Sequence, residues 1–222
     1  MRYAVAIPAF NAAQTIHETL ASIVNQTIAP VEIVVVDDGS SDNTTDIVEQ
    51  FGHGVRLIRQ ANAGCGAATT AAINATSAPI MATVDADDLW VRDKLERQLA
   101  SLNGFGADTL SFTRMRQFRH EDPERGSGRV QDGWGRSTLV MHRSSFEKVG
   151  PIIDPPGNCG DMVDWIGRAR QIGLRTHMLP QVLALRRIIS SSMTFNLNND
   201  QRRAYLAVAR ASMLRQREAT KK

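Results

Sequence analysis

Four short apolar segments in the first 90 residues, separated by stretches of helical periodicity, constrain the fold more than any other feature of the sequence. The segments comprise residues 3–8, 31–36, 55–58 and 80–84. Apolar residues recur at helical spacing over 15–26 and around Ile47 and Val48, and small residues fill 66–75. Alternation of strands with helices of this length is typical of βαβ units, whose parallel strands are covered on both faces. We therefore predict an α/β fold built on a parallel sheet.

Polar and acidic residues follow three of these strands where each strand ends. Asn11 follows the first strand, Asp37 and Asp38 the second, and the run from Asp85 to Asp88 the fourth. In open parallel sheets, ligands bind outside the carboxyl ends of the strands. These side chains are therefore expected to meet at one edge of the sheet and to form the functional site.

The run Asp85-Ala-Asp-Asp88 supports two interpretations. Carboxylates one residue apart offer the hard oxygen ligands that Mg²⁺ and Mn²⁺ take together with diphosphate oxygens and water. Alternatively, the run is a solvated acidic turn in which Asp88 caps the next helix. Small residues from Asn62 to Gly66 begin a predicted helix, where amides can face an anion, and neither GxGxxG nor GxxxxGK[ST] is present to indicate a dinucleotide or P-loop site. The combination favours a nucleotide-activated substrate bound with a metal ion.

The pattern changes after residue 90. We predict helices over 94–102, 144–149 and 161–172, strands over 109–112 and 182–185, and a mobile loop over 114–136, where glycines and charges lack periodicity. Trp90 and Trp165 are expected in the core. Cys65 and Cys159 are the two cysteines, too few and too far apart for a disulfide framework, which favours a cytoplasmic location.

At these motifs the sequence resembles the family 2 glycosyltransferases of the GT-A fold. The matching segments are residues 5–11, Gln26, 35–44, 62–64 and 84–90. The resemblance implies a Rossmann-like, mostly parallel central sheet flanked by helices, with a smaller α+β acceptor-side half. From its length and composition we expect a single domain over 1–222, whose last residues, 201–222, form a basic C-terminal helix. The resemblance implies that 1–90 bind the nucleotide-sugar and that 91–200 carry the acceptor and catalytic half.

The implied activity is metal-dependent, inverting transfer of a sugar from a nucleotide-diphosphate donor. We expect a soluble and non-processive enzyme, because the sequence lacks transmembrane helices and the QxxRW motif of processive synthases. A UDP-sugar is favoured as donor, and the acceptor is a hydroxyl or similar nucleophile on a glycan, a lipid-linked sugar, a peptide or a small molecule. The cofactor is Mn²⁺ or Mg²⁺. The oligomeric state stays open.

The resemblance also assigns residues to this donor site. Asp85 and Asp87 would hold the metal ion, and Trp134 would stack on an acceptor sugar. The residues implied to contact the nucleotide-sugar are Pro8, Phe10, Asn11, Asp38, Asn62, Gly64, Asp85, Ala86, Asp87, Arg186 and Arg187.

Inversion needs a base that takes the acceptor proton, and two acids compete for that role. Asp161 and Asp164 lie three residues apart at a predicted helix start and therefore on nearly one face. We favour Asp161 because it precedes the helix, although a plain N-cap role explains it as well.

Three departures from the family pattern motivate a rival hypothesis. Met162 stands where the family often has Asp, Thr69 and Thr70 replace a frequent Arg-Asn pair, and Ile189 replaces a frequent His. The rival is a catalytically impaired nucleotide-sugar-binding module. A nucleotidyltransferase is a further alternative, but the sequence lacks its Gly-rich loop after the first strand.

The basic charge of the chain is concentrated in its last 22 residues. Seven of the 26 Lys and Arg but one of the 23 Asp and Glu lie in 201–222, which leaves 19 basic and 22 acidic residues in 1–200. A nucleic-acid partner is therefore not expected. We predict that an apolar stripe on this segment, formed by Tyr205, Leu206, Ala209 and Met213, packs on the domain with the basic face in solvent. Contact with anionic lipid or an acidic acceptor is the alternative, and no transmembrane segment is expected.

Overall fold

The first 90 residues fold into alternating strands and helices, as predicted. The structure is a computed structural model that describes residues 1–119, 128–155, 160–188, 205–211 and 213–214. The strands are β1 (Tyr3–Ala9), β2 (Glu32–Asp37), β3 (Val55–Arg59) and β4 (Ile80–Thr83), and the helices between them are α1 (Ile16–Val24), α2 (Thr44–Phe51) and α3 (Cys65–Asn74). These four strands pair in parallel in the order β3-β2-β1-β4.

The rest of the described chain extends this sheet. Its strands are β5 (Leu89–Trp90), β6 (Thr109–Arg119), β7 (Val130–Asp132), β8 (Val140–His142) and β9 (Arg175–Ile188), and its helices are α4 (Lys94–Phe105), α5 (Arg143–Val149) and α6 (Asp161–Gln171), with a 3-10 helix over Arg136–Thr138. The order continues β4-β8-β6-β9-β5, with β7 paired to β6. The β6 and β9 strands are parallel, whereas β8 is antiparallel to both β4 and β6.

The prediction of a mobile loop over 114–136 is wrong for its described parts. The strand predicted over 109–112 continues as β6 to Arg119, and Arg114, Met115 and Arg116 pair with β7. The long strand is stabilised by β9, which runs beside it over its whole length and itself exceeds the predicted 182–185. Cross-strand pairing therefore overrides the polar, Gly-rich local sequence.

Both faces of the parallel sheet are buried. In β1, Tyr3, Val5 and Ile7 contact the core under α1, α2 and α4, while Ala4 and Ala6 contact the core under α3, α5 and α6. Alternate residues of an extended strand point to opposite faces, so burial on both sides requires an uninterrupted apolar run. Trp90 and Trp165 are buried, which confirms their predicted core positions. Within the described part of the chain, no helix is long and apolar enough to cross a membrane.

Candidate functional site

The acidic loop, residues 85–88, follows β4. Hydrogen bonds to its backbone carbonyl oxygens fix its conformation. The carbonyl oxygen of Ala86 accepts hydrogen bonds from the hydroxyls of Thr15 (3.0 Å) and Thr19 (2.9 Å) on the α1 side. The carbonyl oxygen of Asp87 accepts one from Arg187 Nε at 2.9 Å. Because these carbonyls are engaged with the protein interior, the loop conformation is set before any ligand binds.

Asp88 anchors the acidic loop. Its side chain is buried and accepts hydrogen bonds from Ser137 Oγ (2.5 Å) and from the backbone N–H of Arg187 (2.9 Å). Burial, and then the charges of Asp87 and Asp85, raise the pKa of Asp88 well above its usual value. The next helix begins at Lys94, with Asp93 as its N-cap residue, so the interpretation of Asp88 as a helix cap is wrong.

Asp85 and Asp87 remain only partly buried. The Asp85 side chain is 35% exposed, and its Oδ1 accepts a hydrogen bond from Arg136 Nη1 at 2.6 Å. Burial and the neighbouring Asp85 raise the pKa of Asp87 to about 6, although Arg186 and Arg187 oppose the shift. The two carboxylates therefore repel each other, and a cation beside them would lower that cost.

Arg136 joins the acidic loop to the second half of the chain. One terminal nitrogen donates to Asp85 and the other donates to Asp161 Oδ2 at the start of α6. The guanidinium side chain is 7% exposed. Burial disfavours its charge, but the carboxylates of Asp85 and Asp161 raise the pKa of Arg136 well above its ordinary value. A charge this deeply buried persists only with such partners.

Arg136 was not among the residues predicted from the sequence, because it lies in the stretch predicted to be a loop. The available signal was an Arg three residues before the apolar run Leu139–Met141, which overlaps β8. That signal is weak, because nothing local identifies the carboxylates that Arg136 meets.

The two candidate bases have different surroundings. The Asp161 side chain is 17% exposed and paired with Arg136, and burial raises its pKa although Arg136 opposes the shift. Asp164 pairs instead with Arg168, four residues along the same helix, at 2.9 Å. Arg168 also donates to the carbonyl oxygens of Val149 (2.9 Å) and Pro151 (2.6 Å). Asp161 is thus linked to the acidic loop through Arg136, whereas Asp164 pairs with an arginine that holds α6 against the preceding segment.

Asp38 lies in the interior, between the ends of β2 and β3. It is 3% exposed, and its carboxylate accepts hydrogen bonds from Gln60 Nε2 (2.7 Å) and from the backbone N–H groups of Ala63 and Gly64 (both 2.9 Å). Asn62 Nδ2 donates to the Asp38 carbonyl oxygen at 3.0 Å. Asp38 therefore positions the segment from Asn62 to Gly64. Its contact with the nucleotide-sugar stays a prediction.

The end of β1 meets the loop after β2. Pro8 is buried within the strand, whereas Phe10 is 53% exposed. Asn11 adopts a positive φ of 48°, its N–H donates to Ser40 Oγ (2.9 Å), and its Oδ1 accepts from the N–H of Ser41 (2.8 Å). The structure thus brings the predicted residues from the first two strand ends together, with an aromatic ring left in solvent.

The amides at the start of α3 face a carboxylate of the chain itself, which corrects the expectation of an open anion site there. Asp154 accepts hydrogen bonds from the N–H groups of Gly66 (2.8 Å) and Ala67 (2.9 Å). A Cβ on Gly64 or Gly66 would lie 2.5 or 2.9 Å from Asp154 Oδ2, which explains both glycines. Burial raises the pKa of the intervening Cys65 thiol, while Cys159 lies outside the described residues.

Arg186 and Arg187 differ in position. The Arg187 side chain is 1% exposed, donates to Glu18 Oε2 at 2.5 Å and lies 4.8 Å from the Phe118 ring. Its place is under the acidic loop, so the structure favours a positioning role over the predicted donor contact. Arg186 is half-buried and its charge lowers the pKa of Asp87, while Ile189 lies outside the described residues.

Trp134 is 41% exposed, but its ring already has protein neighbours. The Phe112 ring lies 5.1 Å away between centroids, and the Arg170 guanidinium lies 4.8 Å from the ring centroid. A sugar stacking on Trp134 would have to use the remaining exposed part of the indole. Stacking at this residue stays a prediction.

Replacing Arg187 by Met tests the positioning role. We expect a loss of about 3 kcal/mol in the free energy of unfolding, measured by urea denaturation, because the carbonyl of Asp87 and the carboxylate of Glu18 lose the side chain that donates to both. Arg92→Met, at an exposed position, is the control and should change stability by less than about 0.5 kcal/mol. Unchanged stability with weaker nucleotide binding would instead identify Arg187 as a donor contact.

Comparison with known proteins was made by sequence and by fold. The family described as Glycosyl transferase family 2 matches residues 4–160. TuaG of Bacillus subtilis, whose name assigns it to teichuronic acid biosynthesis, is 28% identical over 213 residues, covering 86% of this chain and 81% of TuaG. WfgD of Escherichia coli, named a UDP-Glc:alpha-D-GlcNAc-diphosphoundecaprenol beta-1,3-glucosyltransferase, is 35% identical over 100 residues, covering 44% of this chain.

A solved structure gives the fold. S. aureus TarS, residues 1–349 in complex with UDP-GlcNAc, aligns with a TM-score of 0.78 at 19% identity, covering 97% of this chain and 66% of that chain. The likeness confirms the predicted α/β class of GT-A type. The chain spans less than half of two of the relatives it matches, 40% of WfgD and 31% of a Nostoc glycosyltransferase.

Proposed function

The chain belongs to glycosyl transferase family 2, and we propose that it transfers one sugar at a time, with inversion, from a nucleotide-diphosphate donor to an acceptor nucleophile. The observation that carries this proposal is the buried chain of contacts Asp85–Arg136–Asp161. It links the acidic loop, which is suited to a diphosphate with its cation, to the carboxylate of Asp161 in the second half of the chain. That carboxylate is suited to act as the general base.

The donor is proposed to be a UDP-sugar. WfgD is named for a UDP-Glc reaction, and TarS was solved with UDP-GlcNAc. In this chain, the exposed Phe10 ring offers an aromatic face to a nucleobase, and the segment from Asn62 to Gly64, which Asp38 holds, offers hydrogen-bonding groups to the nucleobase and ribose. These are the groups that nucleoside recognition uses in concave sites.

A divalent metal ion is implied by the family, and the acidic loop fits one. Mg²⁺ or Mn²⁺ binds through one or two carboxylates plus substrate phosphate oxygens, and Asp87 with Asp85 supplies that donor set. The raised pKa of Asp87 is the signature of a crowded carboxylate that a cation would stabilise as an anion. Among the described residues, no three His, Cys, Asp or Glu form a metal cluster, so substrate and water would complete the coordination. When bound, the ion neutralises charge on the diphosphate leaving group.

Asp161 is proposed as the base. As the acceptor oxygen bonds to the anomeric carbon, the bond from that carbon to the diphosphate breaks, and the acceptor proton passes to the Asp161 carboxylate. Arg136 keeps this carboxylate in place by a charged hydrogen bond. A raised pKa makes Asp161 a better proton acceptor than an exposed aspartate.

One alternative has an observation in its favour. Met162, at the position where the family often has an acid, is a buried apolar side chain. Thr69 and Thr70 donate to the carbonyl oxygens of Cys65 (2.6 Å) and Ile152 (3.2 Å) and thus serve the fold. These departures suit a nucleotide-sugar-binding module without turnover.

A ligand screen tests the proposal. Thermal unfolding with UDP- and GDP-sugars and Mn²⁺ should reveal the donor, because a ligand at 100 times its Kd stabilises the native state by about 2.7 kcal/mol. Release of UDP from the stabilising sugar should follow on addition of acceptor. Stabilisation without release for every acceptor class supports the binding module, and no stabilisation by any nucleotide-sugar contradicts both functions.

Replacing Asp87 by Ala tests the metal ligand. We expect the stabilisation by UDP with Mn²⁺ to disappear, because the diphosphate loses the cation that holds it. Adding EDTA to the wild-type protein should have the same effect. Asp46→Ala, at an exposed position on α2, is the matched control and should keep the full shift. A UDP-induced shift that neither EDTA nor Asp87→Ala reduces would exclude this assignment.

A further inference from the structure

The helical segment over residues 205–211 and 213–214, called the amphipathic segment below, presents apolar side chains to solvent. The exposed fractions are 65% for Leu206, 57% for Met213, 50% for Leu214 and 40% for Tyr205. Val208 is half-buried and, with Tyr205, packs against Gly160, where an added Cβ would lie 3.4 Å from each side chain. The predicted packing of Leu206 and Met213 on the domain is therefore wrong: these two side chains face outward, whereas Tyr205 keeps a contact with Gly160.

A basic residue occupies the same outer face. Arg210 is exposed and lies four residues after Leu206 and four before Leu214, and residues at this spacing share a helix face. No acidic residue occurs from 205 to 214, and 201–222 contain seven Lys and Arg against Glu218. The face therefore combines large apolar side chains with positive charge.

We propose that the amphipathic segment binds an anionic lipid surface. A helix lies in the headgroup region when apolar and basic side chains are both available to it, since the apolar groups enter the acyl boundary and the cations meet lipid phosphates. Charge complementarity decides between occupants. A second copy of this face would bring like charges together, whereas an anionic membrane offers opposite charge along the whole face.

The position of the segment gives membrane binding a consequence at the site. Tyr205 and Val208 contact Gly160, which immediately precedes Asp161. A lipid surface bound at the outer face would therefore lie about one helix diameter, roughly 10 Å, from Gly160 and from the residue proposed as base. If the proposed function holds, the acceptor class that this arrangement suits is a sugar carried on a membrane lipid.

Vesicle co-sedimentation of the full chain tests the inference. We expect binding to vesicles of phosphatidylcholine with phosphatidylglycerol and none to phosphatidylcholine alone. Arg210→Gln should weaken partitioning about fivefold, and Leu206→Ser about tenfold or more. The controls are Arg92→Gln and Ile172→Ser, at exposed positions outside the segment, which should leave partitioning unchanged. All variants alter exposed side chains, so thermal unfolding should match the wild type.

Three outcomes would overturn the inference. They are equal binding of wild-type and Leu206→Ser protein, no sedimentation with anionic vesicles, and self-association without lipid that Leu206→Ser abolishes, which would assign the face to a second copy. The readout involves neither nucleotide nor transfer, so its failure is distinguishable from failure of the glycosyltransferase proposal.

Discussion

Replacing Asp161 by Asn is expected to lower sugar transfer by about 10²- to 10⁴-fold, the range that a general base contributes. The amide can still accept a hydrogen bond from Arg136 but cannot take the acceptor proton. Donor affinity, measured by the thermal shift with UDP-sugar and Mn²⁺, should stay within a factor of about two to three, because the residues proposed to bind the nucleotide follow β1, β2, β3 and β4 and are not part of α6.

The matched control is Asp164→Asn, three residues along the same helix. Asp164 is paired with Arg168, so its replacement should cost about 0.5–1 kcal/mol of stability and leave transfer largely intact. If Asp164→Asn abolishes transfer while Asp161→Asn does not, the assignment of the base is wrong. If neither variant affects UDP release in the presence of acceptor, general-base catalysis by either residue is excluded.

Replacing Arg136 by Met is expected to lower the free energy of unfolding by about 3–5 kcal/mol and to abolish transfer. The substitution removes the cation between Asp85 and Asp161 and leaves both carboxylates without their shared partner. Urea denaturation measures the first effect. Arg136→Lys should retain part of the stability but little activity, since a single ammonium cannot bridge two carboxylates in the fork geometry of a guanidinium.

A double-mutant cycle separates this role from a loss of packing. In the Arg136→Met background, Asp161→Asn removes a stranded charge and should recover part of the lost stability, with a coupling energy of about 1–3 kcal/mol. Strictly additive effects would mean that Arg136 acts through its bulk. The cycle is run on stability because transfer is expected to be abolished in Arg136→Met and strongly reduced in Asp161→Asn.

Arg136 also shows why the second half of the site was less predictable than the first. The residues of 1–90 were predicted from strand ends, and parallel strands bring their carboxyl ends to one edge whatever helices connect them. Thus Asn11, Asp38 and Asp85 could be assigned to one edge without knowledge of any contact. Asp161 was selected from two candidates by its predicted place before a helix, but the structure makes it the first residue of α6, with Gly160 as the N-cap. What distinguishes it from Asp164 is its partner, Arg136.

By itself, the sequence determined the parallel half of the sheet, its acidic edge and the family, because apolar periodicity and short motifs are local properties of the chain. Only the tertiary structure decided which charges meet. Arg136 reaches Asp161 across 25 residues, Asp154 reaches Gly66 across 88, and Arg187 reaches Glu18 across 169.

Such pairings depend on how distant elements pack together, and the local periodicity of the sequence contains no information about that packing. The orientation of the amphipathic segment was decided in the same way. Its composition predicted a helix with an apolar side, but the contact at Gly160 is made by Tyr205 and Val208, which leaves Leu206, Met213 and Leu214 in solvent.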